Sequence, residues 1–259
     1  MTHRLHILKK VSSVILFLMV TNLMAAQDPL YTKDRNLPCV RNTFFLYIHI
    51  VRDSLRQTGI TEQDIRRYLN EANKAFEPIC INFDYCAMDT VVDYSYSYIG
   101  DEVEINLLTS RFQKKRRINV YFVDSLFNRK VNSFSVHNGI NKPESCVIVV
   151  PKNGTGLIHE LGHTFGLYHT FEKKFGVEAV NQSNCSTAGD LICDTPADPD
   201  SLPGKDCYFV YASPDGNGDY YRTEVGNYMS HFFCAHCFFT TRQYEIMAEN
   251  YLNSLVKIW

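Results

Sequence analysis

No charge of one sign dominates this chain. Its 259 residues carry 26 Lys and Arg against 28 Asp and Glu, a formal net charge of −2. A nucleic-acid-binding surface normally needs a basic excess, so no nucleic-acid partner is expected. The short basic run Lys114 to Arg117 reads as a solvated turn before a strand. No repeat and no low-complexity tract is visible, and 45% hydrophobic with 21% charged residues are ordinary globular values. A helix that spans a membrane needs roughly 20 apolar residues. The apolar run Val14 to Val20 falls short of that. Basic Arg4, Lys9 and Lys10 precede it, and small Ala25 and Ala26 follow it, the layout of a secretory signal peptide over residues 1–26. No cysteine follows closely enough for a lipid-modified start. The expectation is a protein that is secreted or periplasmic, with no stable membrane association after signal cleavage.

Nine cysteines fit export, because disulfides persist outside the reducing cytosol. After a polar lead-in over 27–42, one domain is expected over 43–259. Thr43 to Val51 is rich in aromatic and β-branched residues and predicts a strand. Thr61 is a good N-cap for a helix carrying Ile65, Leu69, Ala72 and Phe76, which Pro78 stops. Strands are predicted at Ile79 to Phe83, Ile118 to Val123 and Cys146 to Val150. Helices are predicted from about Gly156 to Leu167 and from Thr241 to Leu255. The Gly-, Pro-, Asp- and Asn-rich stretch 170–226 reads as mostly loop.

The chemistry concentrates in His159-Glu160-Leu161-Gly162-His163-Thr164-Phe165-Gly166-Leu167-Tyr168-His169. Two histidines four apart share one helical face, so both imidazoles reach one ion. Glu160 is too close in sequence to complete that set and is placed to bond a water on the metal instead. Gly166 can take a left-handed conformation, end the helix and return the chain so that His169 becomes the third ligand. Three neutral imidazoles leave a fourth tetrahedral position open, the pattern of a catalytic zinc site. Met229, in Gly226-Asn227-Tyr228-Met229-Ser230, then fits a tight methionine turn beneath the metal.

Taken together, His159 to Glu172, Asn184-Cys185, Gly189 to Asp198, Asn227 to Ser230 and Phe239-Thr240 with Gln243 resemble the pappalysin (cytophagalysin) family of metzincins, over about residues 43–250. The resemblance implies an α+β, two-lobed fold: a twisted mixed sheet and two long helices above a cleft, and an irregular disulfide-stapled lower lobe with a terminal helix. It also implies endopeptidase activity on proteins or peptides. The family commonly has tyrosine two residues after the turn methionine; here it is His231. A histidine there can donate a hydrogen bond, approach the zinc, or be inert. For the lower lobe the resemblance implies stapling disulfides, taken as Cys185 with Cys207, and Cys193 with Cys234 or Cys237. Connectivity stays open on sequence alone. Cys234 and Cys237 have no second C-x-x-C to make a four-cysteine zinc site. The family implies calcium near Gly189–Thr195, with Asp190, Asp194 and Thr195 as ligands, whereas Asp215 to Asp219 reads as a turn.

An odd cysteine count leaves one thiol over. Cys39 is a disulfide partner for Cys80 or Cys86, or a thiolate that occupies the open zinc position and holds the enzyme latent. The expected chemistry is attack on a peptide bond by a zinc-activated water, with Glu160 as general base. Cys146 to Val150 is the candidate edge strand for an extended substrate. A zinc-binding adhesin without catalysis and an enzyme acting on a non-protein amide are the rival readings.

Overall fold

Alternation along Asn42–Val51 (β1) sends its side chains into two separate cores. Phe44, Leu46, Ile48 and Ile50 enter one, and Val51 enters the other, beside the buried ring of His49. A strand buried on both faces belongs inside a sheet, and β1 lies between two parallel neighbours. The structure, a computed structural model, describes residues 37–55, 59–129, 131–143, 145–151, 155–199, 214–230 and 236–256. The signal-peptide segment, Cys207, His231 and Cys234 lie outside these residues.

Thr61 caps the helix Glu62–Phe76 (α1) through a reciprocal box with Asp64, and the helix buries Ile65, Tyr68, Leu69, Ala72, Ala75 and Phe76. Pro78 falls in a single 3-10 turn, Glu77–Ile79, after which Ile81–Val91 (β2) runs parallel to β1. Asn73 ties α1 to this edge strand, its amide accepting from Phe83 N and donating to Phe83 O. Tyr98–Ile99 (β3) precedes the helix Glu102–Phe112 (α2), and Asn119–Phe122 (β4), Ser125–Leu126 (β5), Ser133–Ser135 (β6) and Cys146–Val149 (β7) follow. Thr155–Thr164 (α3) and Thr241–Leu252 (α4) are the remaining helices. The main sheet has the order β2-β1-β4-β7-β6, parallel except for β6. Side chains of α1, α3 and α4 fill the first core, while Ile105 and Leu108 of α2 cover the other face. This is the expected α+β arrangement with a mixed sheet and an irregular second half. No helix among the described residues is long and apolar enough to cross a membrane.

The departures have local causes. The strand expected over 79–83 starts at Ile81 and continues to Val91, because an edge strand can carry polar residues on its open side. The metal-motif helix stops at Thr164 rather than Leu167, and Gly166 has φ +100°. The last helix ends at Leu252. Helix α2 was not expected from the sequence, although Asp101 caps it by accepting from Glu104 N. Strand β7 is not an edge: it pairs with β4 on one side and β6 on the other. Its backbone groups are engaged on both sides, so the edge on this side of the sheet is β6, with β2 at the other.

Of the two disulfides among the described residues, one matches an expected pairing and the other differs. Cys39 bonds Cys80, with Cα atoms 5.0 Å apart, so it is not a latency thiol. Cys185 bonds Cys193, which replaces the expected pairs of Cys185 with Cys207 and of Cys193 with Cys234 or Cys237. Turns between Asn184 and Leu191 bring these two cysteines together over only eight residues. Among the described residues, Cys86, Cys146 and Cys237 have no disulfide partner. The bond from Cys39 to Cys80 spans 41 residues, α1 included. Closing a loop of that length contributes about 2–4 kcal/mol. A Cys39→Ser/Cys80→Ser variant should unfold in urea with stability lower by that amount, and an unchanged midpoint would rule out this role for the bond.

Candidate metal centre and active site

His159 and His163 stand one turn apart on α3, and the chain beyond Gly166 brings His169 back to them. The three Nε2 atoms form a triangle: 3.1 Å from His159 to His163, 2.9 Å from His163 to His169, and 3.1 Å from His169 to His159. Carbonyl oxygens set the tautomers. His159 Nδ1 lies 2.7 Å from Tyr228 O, and His163 Nδ1 lies 2.7 Å from Leu167 O. A carbonyl only accepts, so each Nδ1 carries the proton and each Nε2 presents a lone pair. The His169 ring stacks on Phe171 at 4.5 Å. Burial, and for His159 the neighbouring His163, push the pKa values of His159 and His163 down to about 4, which keeps both rings neutral.

The end of α3 is held by tertiary contacts. Asn138 N donates to His163 O, Asn250 Nδ2 donates to Phe165 O, and His137 Nε2 lies 3.2 Å from Gly166 O. Asn227–Ser230 closes as a turn in which Met229 N donates to Asn227 Oδ1 at 2.8 Å. Asn227 and Gln243 exchange amide hydrogen bonds, and Gln243 Oε1 also accepts from Thr240 N at the start of α4. The turn that orients His159 through Tyr228 O is therefore fixed to α4. Met229 is fully buried, and its Sδ would lie 2.5 Å from a Cβ built on Gly162.

Glu160 is buried at 3% exposure, and Ser135 Oγ donates to its Oε2 at 2.5 Å. Ser133, two residues earlier on β6, also helps hold the Glu160 pKa down. Burial raises the Glu160 pKa, while His159 and the two serines pull it down. Neither serine was picked out from the sequence, because a three-residue strand leaves no periodic signal.

Of the suggested calcium ligands, Asp190 and Thr195 lie together, with Thr195 Oγ1 3.0 Å from each Asp190 carboxylate oxygen. Asp194 instead serves α4, accepting from Thr240 Oγ1 and Arg242 N. Glu178, also unmarked in the sequence, faces Gly189 beside this pair, and both its carboxylate oxygens are buried with no hydrogen-bond partner among the described residues. Burial, then the proximity of Asp190, push Glu178 up to about 8; Asp190 is pushed up to about 7, chiefly by burial. Asp215 does form a turn, accepting from Val180, Asn217 and Asp219 N.

No family model matches the chain. An extracellular metalloprotease of Pyricularia oryzae is 26% identical over 178 residues, 62% of this chain and 59% of that protein. One from Podospora anserina is 26% identical over 179 residues, 61% of this chain and 57% of that one. The chain thus spans under two thirds of the length of these relatives. Mature mirolysin of Tannerella forsythia, solved with a cleaved peptide, superposes with a TM-score of 0.55 at 14% identity, over 81% of this chain and 91% of that one. Promirolysin of the same organism gives 0.59 at 12% identity, over 88% and 84%. The fold is the one these structures share.

Gly162 is the tightest steric point of the site. Gly162→Ala should destabilise the protein by about 1–3 kcal/mol, because an added methyl overpacks against a buried neighbour. Thermal melting checks this, and a variant as stable as the parent would show that Met229 does not press on α3.

Proposed function

We propose that this chain is a secreted zinc endopeptidase of metzincin type, from the pappalysin branch, that cuts protein or peptide substrates. One observation carries the reading: three imidazole Nε2 atoms converge, with the tautomers of His159 and His163 set by backbone carbonyls, beside the helix that also bears Glu160. Ligands of a tetrahedral zinc, with bonds of about 2.0–2.1 Å, stand about 3.3 Å apart. The observed triangle comes within a few tenths of an ångström of that, so His159, His163 and His169 fit the ion. Relatives named extracellular metalloproteases support both the activity and the export expected from residues 1–26. The cleaved peptide in the mirolysin complex supports the substrate class.

Bound zinc would supply Lewis-acid polarisation of the scissile carbonyl and acidify a water molecule. The chain supplies the rest. Glu160 takes the proton of the attacking water on its carboxylate and passes it to the leaving amine nitrogen. Strand β6, the antiparallel rim, offers its open backbone edge to an extended substrate. Met229 and the Asn227–Gln243 pair hold the floor that orients His159. Retention of Glu160 argues against a non-catalytic adhesin, since zinc binding alone does not need that carboxylate.

Calcium is proposed beside Asp190 and Thr195, with Glu178 in place of Asp194. Two adjoining buried carboxylates and two orphaned oxygens suit a hard divalent cation.

Two outcomes test these readings. Glu160→Ala should keep one metal per chain and lose about a hundred- to ten-thousandfold in peptide turnover. Turnover at the wild-type rate would refute the assigned base. Calcium should raise the melting temperature of the wild type and leave Glu178→Gln unmoved, because the ligand carboxylate is gone. Equal shifts in both proteins would place calcium elsewhere.

A further inference from the structure

Strand β6 has two faces of work. Its outer edge is the rim of the main sheet, and along its length the side chains alternate. Phe134 packs against the second core, while Ser133 and Ser135 reach the carboxylate of Glu160. Register with β7 is short, Ser133 opposite Val149 and Ser135 opposite Val147. So three residues bear both the backbone edge and the hydroxyls.

We propose that Ser135, assisted by Ser133, is a positioning residue for Glu160, linking the strand on which an extended substrate docks to the carboxylate that handles the proton. The proposal rests on the endopeptidase reading above. A glutamate side chain has three rotatable bonds, and a buried one gains a fixed direction only from the groups that bond it. Ser135 Oγ engages Oε2, and a carboxylate keeps further acceptor positions for a water. Serine has a single side-chain rotor, so its hydroxyl follows the backbone of β6 closely. A peptide added to the open edge gives that backbone partners on both sides, and the ordering passes through Oγ to Glu160.

The test uses the full secreted chain loaded with zinc and an extended fluorogenic peptide. Ser135→Ala should lower kcat about tenfold or more, the effect of a lost hydrogen bond to a charged, oriented group. KM should stay within about twofold, since substrate contacts lie on the backbone edge. Metal content should remain one per chain, and Ser135→Thr should recover most of the lost kcat by restoring the hydroxyl. If Ser135→Ala folds poorly, Ser133→Ala is read on the same terms, with a smaller expected loss of about threefold. A kcat within about twofold of wild type, a loss confined to KM, or no recovery with threonine would each overturn the proposal. Wild-type protein that holds zinc and cuts no peptide would instead overturn the endopeptidase reading, and this proposal with it.

Discussion

Three imidazoles hold their Nε2 atoms about 3 Å apart, with the lone pairs of His159 and His163 facing each other, and this crowding is the constraint around which the site is built. Lone pairs gain nothing from facing each other, so the arrangement persists only because other contacts impose it and a cation can satisfy it. The imposing contacts come from different parts of the chain. Leu167 O, just past the end of α3, fixes His163, and Tyr228 O, more than sixty residues later, fixes His159. Aligning these groups requires a rigid helix above and a rigid turn below.

Rigidity above comes from the first core, where Phe44, Phe76, Phe83 and Phe165 meet largely edge to face behind α3. Below, the loops carry little regular structure and are held by specific polar ties. The amide pair Asn227–Gln243 joins the methionine turn to the start of α4, and Asp194 joins the preceding loop to the same helix end. Helix α4 is thus an anchor for two loops, and Asn250 near its far end satisfies the carbonyl of Phe165 at the end of α3. Each loss of a buried partner in such a network would leave a desolvated group unpaired.

Much of this was legible in the sequence. The helix cap at Thr61, the strand after residue 42, the three histidines and the glycine that turns the chain each follow from local rules. The rest depended on contacts that no short window contains. Cys185 and Cys193 pair because a series of turns folds back on itself, whereas the sequence offers several partners of equal standing. Cys146 to Val149 looks like any apolar strand, and only the sheet order makes it internal and β6 the rim. Ser135 and Glu178 carry no pattern, and only the fold places them against Glu160 and Asp190.

Everything proposed for this site requires that the histidine triangle hold one zinc ion and that hydrolysis depend on it. The direct measurement is metal content and peptide cleavage by the same purified protein before and after chelation, and again after zinc is returned. About one zinc per chain is expected, with loss of cleavage as the metal leaves and recovery as it returns. Cleavage that survives complete removal of the metal would contradict it.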